Sequence, residues 1–174
     1  MSKANIKRGK HATVTPNHQA LESDIRARLK PRTPLLIGID GRDHVGKSST
    51  ARYLAWALGI SCLETDLFTQ ITPKPEYPDT HQMIISAGLK PVITQCLARS
   101  RPIIVEGIVL LKKFELMGLA LDYLVYVRQN GSSGDKRLRP WLDEYDKAYS
   151  PAAKADHILD IPAPRLRFNI TPQA

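Results

Sequence analysis

The chain has 174 residues, with 25 Lys and Arg against 17 Asp and Glu, and its formal net charge is +8. This length is typical of one globular domain. No apolar run approaches the roughly 20 residues of a membrane-spanning helix, and no apolar stretch follows the polar N-terminus as it would in a secretory signal. We therefore expect a cytoplasmic protein without a membrane partner, in which Cys62 and Cys96 are reduced thiols.

Most of the excess of positive over negative charge lies near the N-terminus. Residues 1–32 carry a net charge of +6, whereas residues 33–127 are neutral and residues 128–139 carry +3. This distribution does not predict a uniformly basic face for nucleic acid. Nucleic acid remains a minor alternative partner, through the basic N-terminal arm alone.

The first predicted element is a short helix behind a polar arm. Residues 1–14 have no apolar periodicity, and Thr15 followed by Pro16 is typical of a helix start. Apolar residues then recur with helical spacing up to Pro31, which ends the pattern. We assign residues 1–32 to a basic N-terminal arm and helix.

The next segment combines a buried strand, a glycine-rich loop and an amphipathic helix. Residues 35–39 (LLIGI) form a short apolar run, as in a strand that is buried on both faces. The loop DGRDHVGKS follows directly, and apolar residues at helical spacing continue to Leu58. Gly59 is placed to end this helix.

Further apolar runs alternate with helical patterns. Strands are predicted at residues 60–63, 102–105, 123–127 and 158–161, and helices at 89–97, 108–118 and 135–149. This alternation predicts an α/β fold of three layers around a central, mostly parallel five-stranded sheet. We place this domain at residues 33–162, with a C-terminal tail at 163–174.

Residues 41–48 fit the phosphate-loop pattern GxxxxGK[ST]. The glycines allow successive backbone N–H groups to point at an anion, and the following helix adds its positive N-terminal end. Lys47 can reach the outer phosphates of ATP, and the Ser48 hydroxyl can bind Mg²⁺. The predicted nucleotide-binding residues are Gly41, Arg42, Asp43, His44, Val45, Gly46, Lys47, Ser48, Ser49 and Arg128.

Other classes of phosphate-loop protein fit less well. The chain has neither the DxxG and NKxD motifs of GTPases nor the LSGGQ-like signature of transporter ATPases. Motor, helicase and AAA proteins normally need a larger sheet and a longer chain. A small nucleotide-dependent kinase remains the best fit.

Three stretches carry a resemblance to a known family. LIGIDGRDHVGKSSTARYLAWAL, CLETDLF and IIVEGIVLL resemble the uridine kinase and phosphoribulokinase group of P-loop kinases. The loop also resembles that of thymidylate kinases, whose acidic residues would correspond to Asp40 and Asp43. The resemblance covers residues 35–127, with a weaker match at 155–160. It implies a P-loop kinase fold with ATP and Mg²⁺ as cofactors.

The resemblance also implies roles for two carboxylates. Asp66 follows the second strand and precedes Phe68, and in that group such an aspartate takes or orients the proton of the attacking hydroxyl. Glu106 ends the third strand, where a carboxylate usually holds Mg²⁺. The predicted metal-binding residues are Ser48, Glu106 and Asp66.

A mobile lid is expected after the fourth strand, over residues 128–150, with Gly131 and Gly134 providing flexibility. Arg137 and Arg139 are the lid cations predicted to neutralise the transferred phosphate. The doubled arginine of uridine kinases is replaced here by QNGSSGDKRLRP. Residues 69–88, which contain Tyr77 and His81, are predicted to form a proline-rich loop that lines the acceptor site.

Three functions fit these motifs. The leading hypothesis is a Mg²⁺-dependent, uridine kinase-like enzyme that transfers the γ-phosphate of ATP to a small hydroxylated acceptor, such as a nucleoside or sugar. The second is a nucleotide-binding regulatory or degenerate kinase-like protein. The third is a polynucleotide 5′-kinase-like enzyme, suggested by the basic N-terminal arm.

Overall fold

The computed structural model describes residues 14–29, 33–68, 78–132 and 134–162, and the side chains of all of these except 78–87. A 3₁₀ turn, Thr65–Phe68, directly follows the strand Ser61–Glu64. The helices and strands are, in chain order, α1 (Pro16–Arg28), β1 (Leu36–Asp40), α2 (Lys47–Leu58), β2 (Ser61–Glu64), α3 (Pro78–Ala98), β3 (Ile103–Glu106), α4 (Leu110–Met117), β4 (Tyr123–Gln129), α5 (Arg139–Tyr149), α6 (Pro151–Lys154) and β5 (His157–Ile161).

The described strands form one parallel sheet in the order β2-β3-β1-β4-β5. β1 lies at the centre, between β3 and β4, and every residue of β1 and β3 is buried. Because all strands run the same way, their carboxyl ends meet at one edge, where open α/β sheets bind ligands. The predicted α/β fold with a parallel five-stranded sheet is confirmed.

Apolar side chains cover both faces of the sheet. Ile37 and Ile39 of β1 share one buried cluster with Leu54 of α2. Leu36 points to the other face, since strand residues alternate, and lies in a second cluster with Phe114 of α4. The sheet is therefore the middle of three layers.

Helix α1 is part of this core rather than a region beside it. We expected residues 1–32 to lie apart from the domain at 33–162, but Leu21 and Ile25 are fully buried in the cluster that contains β1 and α2. Tyr123 of β4 donates a hydrogen bond to Asp24. The basic arm before residue 14 lies outside the described residues, as does the tail at 163–174.

The segment predicted as a proline-rich loop is in part helical. α3 begins at Pro78, so residues 78–88 form a helix and not a loop. Proline suits the first turn of a helix, because its φ is already helical and its missing N–H would have no partner there. Residues 69–77, with Tyr77, and the side chain of His81 lie outside the description. None of the described helices is both long and apolar enough to cross a membrane.

Candidate active site

The loop at residues 41–48 leaves the central strand and enters α2 through two left-handed glycines. Gly41 has φ 144°, and a Cβ at this position would overlap the Val127 carbonyl oxygen of β4. Gly46 has φ 95° and directly precedes the first residue of α2, Lys47. Glycine is required at both positions, and the loop wraps the N-terminal end of a helix, a common site for anions.

Lys47 lies inside this loop. Its Nζ donates a hydrogen bond to the Arg42 carbonyl oxygen at 2.6 Å, and the side chain is buried. Burial lowers the pKa of Lys47, while the charges of Glu106 and Asp40 act in the opposite direction. The loop therefore holds the Lys47 ammonium group close to its own backbone.

Ser48 and Glu106 form a direct contact between α2 and the end of β3. The Ser48 hydroxyl donates to Glu106 Oε1 at 2.8 Å. Glu106 is 3% exposed, and burial raises its pKa, opposed by the Ser48 hydrogen bond and by Lys47. Two predicted metal-binding residues, 58 positions apart in the chain, are thus adjacent in space.

Asp66 is the third predicted metal-binding residue and also the predicted base. It lies in the 3₁₀ turn that follows β2, and its side chain is exposed. It lines a cavity of about 530 Å³ at the carboxyl edge of the sheet together with the loop and the end of β3. The lining residues are Asp43, His44, Gly46, Lys47, Ser48, Ser49, Asp66, Glu106, Gly107, Ile108 and Leu138.

The donors at this cavity suit Mg²⁺ bound together with a phosphate. Among the described residues, no three His, Cys, Asp or Glu side chains cluster closely enough to form a protein-only metal site. Mg²⁺ commonly keeps several waters and binds one or two carboxylates plus substrate phosphates. The Ser48 hydroxyl and the Glu106 carboxylate could hold such an ion, and Asp66 lines the same cavity.

Behind the loop, a buried carboxylate ties three elements together. Asp40 accepts hydrogen bonds from the Gly41 N–H at 2.7 Å, from the Leu110 N–H at the start of α4 and from the Tyr145 hydroxyl of α5. Burial raises the pKa of Asp40 to about 6, although all three hydrogen bonds oppose the shift. The role of Tyr145 was not predicted from the sequence. A sequence feature that could have indicated its burial is the apolar stripe of α5, in which Leu142 and Tyr145 are the buried positions.

Two loop residues contact the segment predicted as a lid. Arg42 donates to Asp146 from Nε at 3.0 Å and from Nη2 at 2.7 Å, and it also pairs with Asp143. Asp43 accepts the Asp135 N–H, so the loop is joined both to α5 and to the residues just before it. Arg42 therefore faces α5 rather than the cavity, whereas Asp43 also lines the cavity.

The predicted cations of the lid lie outside the cavity in this structure. Arg137 is exposed and pairs with Asp135 at 2.7 Å. Arg139 is exposed at the first position of α5. Arg128 forms two hydrogen bonds to Asp160, both 2.9 Å long, across β4 and β5.

The remaining predicted residues of the loop divide between cavity and core. His44 has φ 58° and is exposed at the mouth of the cavity, which Ser49 also lines. Val45 is buried and packs into the core cluster of β1 and α2. Val45 thus anchors the loop, while His44 and Ser49 are open to a ligand.

Neither a family model nor a curated protein matches this sequence. Solved structures do match the fold. A possible uridine kinase from Bacillus stearothermophilus has a TM-score of 0.58 at 20% identity, over 83% of this chain and 97% of that one. A candidate fructose transport system kinase from Silicibacter sp. has a TM-score of 0.52 at 20% identity, over 84% and 99%. Shikimate kinase from Aquifex aeolicus has a TM-score of 0.50 at 17% identity, over 72% and 85%. The chain has the fold of P-loop kinases.

Proposed function

We propose that the protein is an ATP- and Mg²⁺-dependent phosphotransferase that moves the γ-phosphate to a hydroxyl group of a small molecule, such as a nucleoside or a sugar. One observation carries this proposal. Lys47, Ser48, Glu106 and Asp66, which come from three separate segments, line a single open cavity at the carboxyl edge of the sheet. The similar solved structures described as kinases of small molecules support the same class.

The loop and Lys47 would bind the phosphates. The Lys47 ammonium group supplies a cation, and the N-terminal end of α2 supplies the positive end of the helix dipole, at the same anion site. Ser48 and Glu106 would hold Mg²⁺, which neutralises charge on the phosphate oxygens when it is bound. In this role the Ser48 hydroxyl exchanges its contact with Glu106 for the ion.

Asp66 would act as the general base. The acceptor oxygen forms a bond to the γ-phosphorus as the bond to the bridging β–γ oxygen breaks, and ADP leaves. The hydroxyl proton passes to a carboxylate oxygen of Asp66, which can accept it because bond formation to phosphorus acidifies the hydroxyl. The exposed position of Asp66 in the cavity permits contact with an acceptor.

The arginines would act after a movement of the lid. Arg137 and Arg139 flank Leu138, which already lines the cavity. Gly131 and Gly134 precede both arginines. They have positive φ angles, a conformation that favours glycine, and are suitable hinges. Arg137 would leave Asp135 to meet the transferred phosphate, and Arg128 would contribute to the nucleotide site by leaving Asp160.

The test is ADP formation from MgATP with a panel of nucleosides, sugars and other small alcohols. We expect at least one acceptor to stimulate ADP formation. Asp66→Asn should lower that turnover by about 10²–10⁴-fold, the usual contribution of a general base, with the KM for ATP within about threefold of wild type because Asp66 does not belong to the loop.

Asp24→Asn makes the same chemical change on α1, outside the cavity, and should retain wild-type turnover. Wild-type turnover in Asp66→Asn would show that Asp66 is not the general base. Tight ATP binding with no stimulation by any acceptor would instead favour a regulatory, kinase-like protein.

A further inference from the structure

Helix α4 carries a buried lysine that the chemistry above does not use. Lys113 is 5% exposed and does not line the cavity. Its Nζ donates a hydrogen bond to Thr65 Oγ1 at 3.0 Å, and Thr65 is itself fully buried. Lysine is almost never fully buried unless it is paired, and a methionine of similar length would avoid the cost of burying an ammonium group.

The partner of this lysine is the residue next to the proposed base. Thr65 begins the 3₁₀ turn that carries Asp66. The same hydroxyl packs closely against Gly107, the residue after Glu106, where a Cβ would overlap Thr65 Oγ1. The Thr65 side chain is therefore held between α4 and the end of β3. This contact joins the turn of Asp66 to the strand end of Glu106.

Lys113 is also a positive charge among the carboxylates of the site. The charges that act on it come from Asp66 in the 3₁₀ turn, Asp40 of β1, Lys47 of α2 and Glu106 of β3. Burial lowers the pKa of Lys113 to about 8, Lys47 adds to this effect, and the three carboxylates oppose it, Asp66 most strongly. The ammonium form therefore prevails at neutral pH.

We propose that Lys113 is a positioning residue of the phosphotransfer site. Through the Thr65 hydroxyl it fixes the turn that carries Asp66 against the end of β3, so that the two carboxylates keep their separation across the cavity. The role as stated rests on the proposed function of Asp66, but the fixing of the turn is a property of the protein without any ligand.

The experiment compares wild type with Lys113→Met, Thr65→Val and the double variant. Lys147→Met is the matched control, because Lys147 is an exposed lysine in the last turn of α5. Three quantities are measured. They are amide hydrogen exchange of residues 65–68 without nucleotide, the thermal midpoint of unfolding, and kcat and KM for MgATP. The acceptor is one that stimulates ADP formation in the panel assay, or water if none does.

A positioning role predicts a specific pattern. Lys113→Met should raise exchange at residues 65–68 by tenfold or more and lower kcat by tenfold or more. The KM for ATP should stay within threefold, and the thermal midpoint should be unchanged or higher because no ammonium is buried. Thr65→Val should reproduce the loss of kcat. The loss in the double variant should be smaller than the product of the two single losses, since both changes remove the Lys113–Thr65 hydrogen bond.

Unchanged exchange and kcat in Lys113→Met would overturn the inference. So would additive losses in the double variant, or a lower midpoint with a normal kcat, which is the result of a purely structural lysine. If Lys113→Met does not fold, Thr65→Val alone decides by the same criteria. If wild type neither binds nor uses ATP, the proposed function fails separately, and the exchange measurement still decides whether Lys113 fixes the turn.

Discussion

The carboxylate of Asp40 ends the central strand and is buried beneath the phosphate loop. It accepts hydrogen bonds from the N–H groups that begin the loop and α4, and from the hydroxyl of Tyr145. A carboxylate can accept several hydrogen bonds at once, so this one side chain holds together the elements around the loop. Asp40 is thus a supporting residue and not part of the cavity lining.

This environment predicts a pH-dependent stability. The pKa of Asp40 is raised to about 6 in the folded protein from an ordinary value of 3.8. Between these values the folded state binds the extra proton, so the contribution of Asp40 is fully present below about pH 4 and is lost as the pH rises through about 6. The free energy of unfolding of wild type, relative to Asp40→Asn, should fall by roughly 2–3 kcal/mol between pH 4 and pH 7.

Urea denaturation of both proteins at several pH values measures this difference. The comparison cancels the titration of groups that the charge of Asp40 does not influence. A constant difference across the range, or one that grows with pH, would contradict the assignment of a buried, proton-binding Asp40.

Some residues of the candidate site can be located from local sequence patterns, and others cannot, for physical reasons. Lys47 and Ser48 occupy fixed places in a loop whose spacing is set by phosphate, and Glu106 ends an apolar strand. Lys113 follows Lys112 in an amphipathic helix, a pattern that normally indicates solvent exposure. Its buried ammonium group donates a hydrogen bond to Thr65, 48 positions earlier, and no local pattern specifies such a partner.

At the scale of elements, α5 rests on the phosphate loop. Its apolar stripe buries Leu142 and Tyr145 in a cluster with Val109. Arg42 of the loop then pairs with Asp143 and Asp146 on the adjoining turns of the helix. Any opening of the expected lid therefore involves the residues before α5 more readily than α5 itself, which would have to break these contacts.

Arg42→Ala tests this attachment. Arg42 is 37% exposed, so its ion pairs are partly screened by solvent. Because it bridges two carboxylates, we expect its loss to lower the free energy of unfolding by about 1 kcal/mol, near the upper end for such pairs. Hydrogen exchange of residues 139–149 should increase, and the difference in stability should shrink in high salt.

Arg52→Ala is the matched control. Among the described residues, Arg52 pairs with Glu64 alone, at 2.7 Å. Arg52 is more exposed than Arg42, and its loss should change stability by less than about 0.5 kcal/mol. Equal effects of the two substitutions, or unchanged exchange in α5, would show that Arg42 does not hold the helix on the loop.

The order of elements was predictable, because each part of the pattern has a local physical cause. Buried parallel strands read as short apolar runs, and the helices between them as periodic ones. The predicted start of α3 at residue 89 is wrong, because Pro78 follows Pro73 and Pro75 in a pattern that is typical of a loop. A proline is compatible with both structures, and only tertiary contacts decide between them.

At the scale of the whole molecule, the positive charges of the described residues are balanced by acidic side chains, both on α1 and at the cavity. On α1, Arg26 and Arg28 form ion pairs with Glu22 and Asp24 at 2.8 and 3.9 Å. The cavity combines the cation Lys47 with several acidic side chains, including Asp66 and Glu106. Bare ATP would be repelled by these carboxylates, and a bound Mg²⁺ would offset part of that repulsion by lying between the carboxylates and the phosphates.

Calorimetric titration with a non-hydrolysable ATP analogue, with Mg²⁺ and with a chelator, tests the central claim most directly. Wild type should bind the Mg²⁺ complex at least tenfold more tightly than the free analogue. Lys47→Ala should weaken the binding of the complex by tenfold or more, while Lys90→Ala, at an exposed lysine of α3, should not change it. Equal affinity with and without Mg²⁺, together with wild-type affinity in Lys47→Ala, would contradict the assignment of this cavity as a nucleotide-binding site.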